Sequence, residues 1–281
     1  MPTVVVTGAS GFLGRYVTAQ LRIAGMTVIP VSRKVLLPGG ARIADYCDTP
    51  EGDVLIHLAE EADRSLVNRM GEAYTDTSLG VLKALALRGW KQLVYASSGV
   101  VYGHDHTFPC TVDTSVIITD SYSQLKVKNE NVVLDAGGCV VRLSNLIGEG
   151  MSTHNVVSDI LSQIRNSGPL LVRDDQPVRD YLAAVDAANA FVQIIQRNLC
   201  VIVNVGSGIG TSVRQLAELA LNAAGQSDRE IRAISPSTQR SNNNNVLDIS
   251  KTVDTLGWSP SLTLNDQLVQ LRNYKSKFTN G

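Results

Sequence analysis

One segment, from Thr3 to Arg15, constrains the fold of this chain more than any other. It opens with three consecutive valines at positions 4–6, which are apolar on both faces, as a strand buried inside a parallel sheet requires. An amphipathic run follows a turn that holds glycines at three-residue spacing: Gly8, Gly11 and Gly14. Such a turn lets the backbone approach a pyrophosphate, and the free N–H groups of the next helix favour its negative charge. The segment therefore predicts a nucleotide site, with an ordinary tight turn as the alternative.

The overall composition narrows the class of partner. A formal net charge of −1 and a charged fraction of 18% give no basic face for nucleic acid or anionic lipid. The cysteines are scattered without a Cys-x-x-Cys pair, which predicts reduced thiols and no metal site. No apolar run reaches membrane-spanning length, and a strand that starts at residue 3 leaves no room for a signal peptide. We therefore expect a cytoplasmic protein that binds neither nucleic acid nor membrane.

The end of the second predicted strand, which runs from Met26 to Val31, indicates which dinucleotide is bound. Folds that prefer NAD place a carboxylate there, which hydrogen-bonds the ribose hydroxyls. This chain has Ser32, Arg33 and Lys34 instead, and a hydroxyl and a guanidinium can bind a 2′-phosphate through charge-assisted hydrogen bonds. We predict NADP(H), with Ser32 and Arg33 as contacts; NAD(H) stays possible, and a solvated basic loop is the alternative interpretation.

A tyrosine, a lysine and a serine form the candidate catalytic set. Tyr122 and Lys126 lie four residues apart in a predicted helix, which places them on one face. Ser98 ends a predicted strand that starts at Gln92, and ligands of open α/β sheets bind beyond the carboxyl ends of strands. An ammonium near a phenol stabilises the phenolate, and a serine hydroxyl can hold a carbonyl beside a hydride donor. The pattern predicts hydride chemistry, although a serine that only caps the strand end is the alternative for Ser98.

Two of the four histidines are weak candidates for catalysis. His57 lies inside the apolar strand predicted over residues 53–59, which indicates a core histidine with a satisfied ring. His154 lies in a predicted loop, and a loop histidine is the favoured interpretation.

The glycine spacing, together with Ser98, Tyr122 and Lys126, resembles the extended short-chain dehydrogenase/reductase family, the NAD-dependent epimerases and dehydratases of nucleotide sugars. The resemblance covers essentially the whole chain. It implies a Rossmann-type, doubly wound parallel sheet over residues 1–147, completed by about 176–205. Residues 148–175 and 206–281 would build a smaller substrate-binding lobe. The resemblance also implies a homodimer, formed through the two helices that flank the sheet.

The same resemblance implies the roles of individual residues. The implied cofactor contacts, besides Ser32 and Arg33, are Gly8, Gly11, Phe12, Leu13, Gly14, Asp45, Tyr46, Leu58, Ala59 and Lys126. The implied substrate contacts are Asn145, Arg179 and Arg240. Asp45 has an equal alternative as an exposed turn carboxylate. For Arg179 the alternative is a structural salt bridge to Asp180 or Asp186.

The chain departs from the family pattern at three places. Glu60 stands where the family usually has a second alanine, and Thr77 stands where it has an asparagine. The run of asparagines at positions 242–245 replaces a Gly-Asp pair, and we expect a mobile loop there.

The residues after Ser98 narrow the reaction that the resemblance implies. Sugar 4,6-dehydratases have Asp-Glu directly after the catalytic hydroxyl, whereas this chain has Gly99 and Val100, which cannot carry a proton. Carbonyl reduction or 4-epimerisation remains, and the Ser32–Arg33 pair favours exchangeable NADPH. We therefore predict reduction of a nucleoside-diphosphate 4-keto-6-deoxy sugar in deoxysugar biosynthesis. An NAD-dependent 4-epimerase is the alternative, and a non-catalytic dinucleotide sensor is a remote one. The base and the sugar stay open.

Overall fold

The described part of the chain alternates strands and helices. The structure, a computed structural model, describes residues 2–235 and 243–277, with side chains as far as Arg272. The strands are β1 (Thr3–Thr7), β2 (Thr27–Ser32), β3 (Ala41–Arg42), β4 (Val54–His57), β5 (Gln92–Ser98), β6 (Cys139–Leu143), β7 (Asn145–Ile147), β8 (Leu170–Val172), β9 (Val178–Ala183), β10 (Ile202–Val205), β11 (Gly210–Ser212), β12 (Ile231–Ala233) and β13 (Asn244–Asn245). The helices are α1 (Phe12–Ile23), α2 (Arg64–Ala86), α3 (Ser121–Asp135), α4 (Val156–Gln163), α5 (Ala184–Gln196), α6 (Val213–Ala223), α7 (Ser250–Leu256) and α8 (Leu264–Lys277).

A parallel sheet of seven strands forms the centre of the molecule. Its strand order is β3-β2-β1-β4-β5-β6-β10. The chain winds outward from β1 in one direction as far as β3, and then crosses to β4 on the other side of β1. This change of direction is the point where ligands of open α/β sheets bind. The predicted Rossmann-type, doubly wound fold is confirmed.

Helices cover both faces of this sheet, which explains why its strands are apolar on both sides. On one face, α1 and α5 contact each other, and Val17, Leu21 and Phe191 are fully buried there. On the other face, α2 packs against α3, and Leu82 and Val133 are fully buried. None of the helices in the described ranges combines the length and the hydropathy that crossing a bilayer requires.

A second hydrophobic cluster lies apart from the sheet. It packs residues of α4, α6 and α8 against β8, and Ile160, Leu170 and Leu216 are fully buried in it. A small sheet of β11, β9 and β13, with β7 paired to β9, adjoins it. Apart from β7 and β9, which come from segments predicted for the dinucleotide-binding domain, these elements come from the segments predicted to form the substrate lobe. The division into lobes, with its boundaries at residues 147, 175 and 205, stays a prediction.

A buried ion pair fastens α3 to the central sheet. The Arg142 guanidinium of β6 lies 2.6 Å from a carboxylate oxygen of Glu130, and the two side chains are only 6% and 3% exposed. Arg142 also donates to the Tyr102 hydroxyl over 2.9 Å, and the Ser97 hydroxyl donates to Glu130. Arg142 is thus held inside the protein by the acceptors Glu130 and Tyr102, which come from different segments of the chain.

We predict that Glu130→Ala lowers the free energy of unfolding by about 3–5 kcal/mol, because it leaves the Arg142 charge buried without a counter-ion. Glu230→Ala is the matched control, since its pair with Arg232 is 61% and 58% exposed and such pairs contribute less than about 1 kcal/mol. Urea unfolding of both variants measures the difference. Equal losses of stability would contradict this account of the buried pair.

His57 is buried at the carboxyl end of β4. Its Nδ1 atom forms a 2.9 Å hydrogen bond with the Thr7 hydroxyl of β1, and the residue is only 1% exposed. Burial lowers the pKa of His57 to about 4, because the charged ring would lose its hydration. His57 is therefore a buried, hydrogen-bonded core residue, as the sequence predicted.

The neutral state of His57 makes stability depend on pH. The unfolded chain takes up a proton near pH 6.5, whereas the folded chain does so near pH 4. The contribution of His57 to the free energy of unfolding is thus fully present above pH 6.5 and is lost as the pH drops toward 4. It amounts to about 3 kcal/mol. We expect His57→Asn, measured by denaturant unfolding between pH 4 and 7, to flatten this fall. The exposed His154 provides the control, and an equal flattening by His154→Asn would refute the assignment.

Candidate active site

A cavity of about 660 Å³ opens at the carboxyl ends of β1, β4, β5 and β6, beside the switch point of the sheet. Many predicted site residues line it: Gly8, Gly11, Phe12, Leu13, Gly14, Leu58, Ser98, Tyr122, Lys126, Asn145 and Arg179. The structure therefore gathers residues that lie as far as 171 positions apart in the chain around one space. Within residues 2–235 and 243–277, no group of three or more His, Cys, Asp or Glu side chains could hold a metal ion.

The glycine turn forms one wall of the cavity and has little room for side chains. Gly8 has φ +70°, and a Cβ there would lie 2.6 Å from the Leu58 carbonyl oxygen. The Gly11 amide donates to the Gly8 carbonyl over 2.9 Å, and α1 begins directly afterwards at Phe12. Gly11 has no side chain to cap the helix, so the first N–H groups of α1 are left for another acceptor. The wall thus suits an anion that contacts backbone.

The residues after β2 lie at one side of this wall. Arg33 is exposed, and its guanidinium lies 5.0 Å from the centre of the Tyr46 ring. Ser32 is fully buried, and its hydroxyl forms hydrogen bonds with the Ser10 hydroxyl (2.7 Å) and the Lys34 amide (3.0 Å). Lys34 lines the cavity. Because the Ser32 hydroxyl already holds the loop together, a direct contact of Ser32 with cofactor stays a prediction.

Asp45 is an exposed carboxylate in a turn. Its carboxylate accepts a 2.8 Å hydrogen bond from the Cys47 amide and caps a short 3-10 turn, Tyr46–Asp48. This bond lowers the pKa of Asp45. Leu58 lines the cavity, and Ala59 follows it after β4. The cofactor roles of Asp45, Tyr46 and Ala59 stay predictions.

A capping box at the start of α3 positions the tyrosine. The Asp120 carboxylate accepts from the Ser123 amide (2.9 Å), and the Ser123 hydroxyl accepts from the Asp120 amide (3.0 Å). The Tyr122 amide donates to the Asn68 side-chain oxygen of α2 over 3.0 Å. Tyr122 therefore stands in the first turn of a helix whose start is fixed by side chains of two helices. Asn68 has no signal in the sequence that could have singled it out.

The lysine follows one turn later and faces the same cavity. The Lys126 ammonium lies 5.7 Å from the centre of the Tyr122 ring, and Ser98 lines the cavity at the end of β5. Ser98 also accepts a 3.3 Å hydrogen bond from the Val100 amide, in the 3-10 turn Gly99–Tyr102 that follows β5. The structure thus brings the predicted phenol, ammonium and hydroxyl together. The two residues after Ser98 supply no proton-carrying side chain.

Glu60 is the partner of Lys126. Its carboxylate lies 2.6 Å from the ammonium, and the two side chains are 5% and 8% exposed. Burial alone would lower the pKa of Lys126, but attraction to Glu60 outweighs it and holds that pKa well above its ordinary value. Sequence analysis identified Glu60 only as a departure from an alanine. A charged residue at the end of a buried strand was the available signal, but the sequence did not show its partner.

Two of the three substrate candidates, Asn145 and Arg179, line the same cavity. The Asn145 amide donates to the Asp180 carbonyl over 3.1 Å. Arg179 forms no salt bridge with Asp180, whose carboxylate instead accepts from Ser207 (2.7 Å). The Arg179 guanidinium donates to neutral oxygens of Asn243, one of them over 2.8 Å. Among the residues that the structure describes, the Arg179 guanidinium therefore has no salt-bridge partner. Arg240 lies outside the described residues.

A second arginine, which sequence analysis missed, lines the same cavity. Arg64 lies 2.5 Å from the Asp120 carboxylate and donates to His104 Nε2 over 2.9 Å. Burial lowers the pKa of His104 to about 4, and the charges of Arg179 and Arg64 contribute to this shift. The imidazole is therefore neutral beside two guanidinium groups. An anionic ligand would suit this end of the cavity.

Part of the asparagine run forms a strand where sequence analysis expected a loop, and the mobility of this segment stays a prediction. Asn244 and Asn245 form β13, which pairs with β9. The Asn245 amide donates to the carbonyls of Gly99 (2.9 Å) and Gly103 (2.7 Å), at both ends of the turn after Ser98. Asn242 lies outside the described residues.

Comparison with known proteins agrees with this geometry. The sequence model of the NAD dependent epimerase/dehydratase family matches residues 4–206. A GDP-6-deoxy-D-mannose reductase of Pseudomonas aeruginosa is 27% identical, over 94% of this chain and 93% of its own. A dTDP-6-deoxy-L-talose 4-dehydrogenase (NAD(P)(+)) of Kitasatospora kifunensis is 25% identical (95% and 94%), and a UDP-glucose 4-epimerase of Caenorhabditis elegans is 26% identical (99% and 99%).

Solved structures show the same fold. The RMD protein of Pseudomonas aeruginosa, complexed with NADPH, superposes with a TM-score of 0.85 at 25% identity, over 99% of this chain and 100% of its own. A UDP-glucose 4-epimerase of Thermotoga maritima reaches 0.85 at 23% identity, over 98% and 99%. Because the family model covers most of the sequence and the cavity holds the residues that carry the resemblance, this chain belongs to the NAD-dependent epimerase/dehydratase family.

Proposed function

We propose that this protein reduces the keto group of a nucleoside-diphosphate 4-keto-6-deoxy sugar with NADPH. The observation that carries the proposal is the convergence of Tyr122, Lys126 and Ser98 on one cavity, which the glycine turn also lines. A phenol and a hydroxyl that face the same space can both reach one carbonyl oxygen. The two residues after Ser98 argue against dehydration, since Gly99 and Val100 have no group to remove or return a proton.

The cavity fits a dinucleotide. The close approach of Gly8 to Leu58 and the uncapped start of α1 would hold the pyrophosphate through backbone N–H groups. Arg33 and Lys34 would hold the 2′-phosphate of NADP, because both are exposed cations at the end of β2. When bound, NADPH supplies the hydride.

The side chains of this protein then handle the substrate oxygen. Ser98 donates a hydrogen bond to the carbonyl and holds it in place. As negative charge develops on that oxygen, the Tyr122 phenol transfers its proton to it, which completes an alcohol. Lys126 stabilises the phenolate that remains until solvent returns a proton.

The cavity is lined by two arginines, Arg64 and Arg179, which suit the diphosphate of a sugar nucleotide. Arg179 has only neutral partners among the described residues, and burial, together with the nearby charge of Arg64, lowers the pKa of Arg179. Together they would bind the diphosphate of the sugar nucleotide, with Arg240 as a further predicted contact. Asn145 lines the same cavity and would face the sugar.

An NAD-dependent 4-epimerase is the second candidate, because relatives of this kind match the chain equally well. Such an enzyme retains its cofactor through purification and shows no net oxidation, whereas a reductase exchanges NADPH at every turnover. A non-catalytic sensor is disfavoured by the presence of both Tyr122 and Lys126. Cytoplasmic location and a homodimer are further inferences from the resemblance.

We expect the purified protein to oxidise NADPH when it is given a GDP-, dTDP- or UDP-linked 4-keto-6-deoxy sugar. Tyr122→Phe should lower kcat by about 10²–10⁴-fold, because the proton donor is lost. Absorbance of the reduced nicotinamide measures the rate. Tyr16→Phe is the control, since that hydroxyl contacts Glu149 outside the cavity. No oxidation with any of these sugars, or full activity of Tyr122→Phe, would count against the proposal.

The choice of cofactor is tested separately by Arg33→Ala. Loss of a charge-assisted bond to the 2′-phosphate should raise the Kd of NADPH about 10–100-fold. The Kd of NADH, which lacks that phosphate, serves as the internal control and should stay nearly constant. Fluorescence titration of the reduced nicotinamide measures both. If both constants rise together, Arg33 acts on the fold of the loop and not on the phosphate.

A further inference from the structure

Glu60 is the most heavily hydrogen-bonded carboxylate of the cavity wall. One of its oxygens accepts from the Lys126 ammonium (2.6 Å) and the Tyr95 hydroxyl (2.8 Å). The other accepts from the Ser78 hydroxyl (3.2 Å) and from the side-chain amide of Asn129. The donors come from α2, α3 and β5, and the carboxylate lies just after β4. This convergence of donors keeps a buried carboxylate ionised and fixed.

The bonds of Lys126 leave little freedom to its ammonium. An ammonium carries three N–H groups. One of them donates to Glu60, and a second donates to the Ala96 carbonyl over 3.0 Å. The third is left for the cavity that Lys126 lines. Glu60 and Ala96 thus determine where this last N–H group points.

We propose that Glu60 is a positioning residue for hydride transfer, which aims the Lys126 ammonium at the cavity and keeps it charged during the reaction. The proposal rests on the proposed function in one respect, namely that Lys126 takes part in the chemistry. It assigns a role to a carboxylate where the family resemblance has an alanine. Without Glu60, a nearly buried ammonium would have no counter-ion and would shed its proton more readily.

The other groups around this pair do not supply a second anion. His57 of β4 is neutral, since burial lowers its pKa to about 4. Tyr95 of β5 is held in its protonated form, because burial raises its pKa well above the ordinary value. Tyr74 of α2 behaves in the same way, and Tyr122 of α3 is the proposed proton donor. Glu60 is therefore the carboxylate on which the charge of Lys126 depends.

The substitution Glu60→Gln removes the charge and keeps the shape of the side chain. The four groups that surround Glu60 all donate to it, so the N–H groups of a glutamine at this position would need at least one acceptor. Asn129 can provide it, because its side-chain oxygen is buried and has no hydrogen-bond partner, and a flip of its amide would turn that oxygen toward residue 60. Ser78→Ala is the matched control, since it removes one donor to Glu60 and leaves the Glu60–Lys126 charge pair intact.

Two measurements test the proposal on the full chain. In the first, the alkaline limb of the pH profile of kcat for NADPH oxidation should move down by about one pH unit or more in Glu60→Gln. It should stay in place in Ser78→Ala. In the second, labelling of Lys126 by acetic anhydride, followed by mass spectrometry, reports the uncharged amine directly. Labelling should start at lower pH in Glu60→Gln than in the wild type, while exposed Lys83 is unaffected.

The outcomes separate the two proposals. An unchanged labelling profile of Lys126 in Glu60→Gln overturns the role of Glu60, whether or not an active substrate is found. If labelling of Lys126 starts at lower pH in Glu60→Gln but neither the wild type nor the variants oxidise NADPH, Glu60 keeps Lys126 charged and the proposed reaction is refuted. If Glu60→Gln does not fold, the labelling of Lys126 in the wild type tests the proposal. The proposal is overturned if Lys126 becomes labelled over the same pH range as exposed Lys83.

Discussion

Two buried ion pairs on α3 fix the geometry on which the site depends. Lys126 and Glu130 stand four residues apart on this helix, so they face the same side, where Glu60 and Arg142 neutralise them. Separating the two partners of a buried ion pair is costly, because each charge would then lie in an apolar environment without its counter-ion. Tyr122 lies one turn before Lys126 on the same helix, so its place beside the cavity follows from these two pairs. The helix is therefore anchored by the residues that surround the reaction space.

The fold and the core of the site could be predicted because their signals are local. A buried strand, a glycine turn and a helix occupy consecutive residues, and the Tyr-x-x-x-Lys spacing translates directly into one helix face. Parallel strands then bring their carboxyl ends to one edge, which unites Ser98 with Tyr122 without knowledge of any single contact. The predicted Rossmann-type fold and family are confirmed on this basis, while the individual contacts to cofactor and substrate stay predictions.

The features that sequence analysis missed depend on pairs of distant residues. Glu60 meets Lys126 across 66 positions, and Asn245 meets Gly99 across 146. A carboxylate after a buried strand is equally compatible with solvent exposure until its donors are known. The run of asparagines was expected to form a loop because it replaces the family's Gly-Asp pair, yet Asn244 and Asn245 form β13, which pairs with β9. At both places the observed contact joins residues that are far apart in the sequence.

The two hydrogen bonds of the Asn245 side chain link two parts of the cavity wall. The strand of Asn245 pairs with β9, which carries Arg179, and the side chain donates to both ends of the turn that follows Ser98. Arg179, the proposed phosphate contact, is thus connected through one short strand to Ser98, the proposed donor to the carbonyl. A ligand that displaced Arg179 would therefore also act on the turn that positions Ser98.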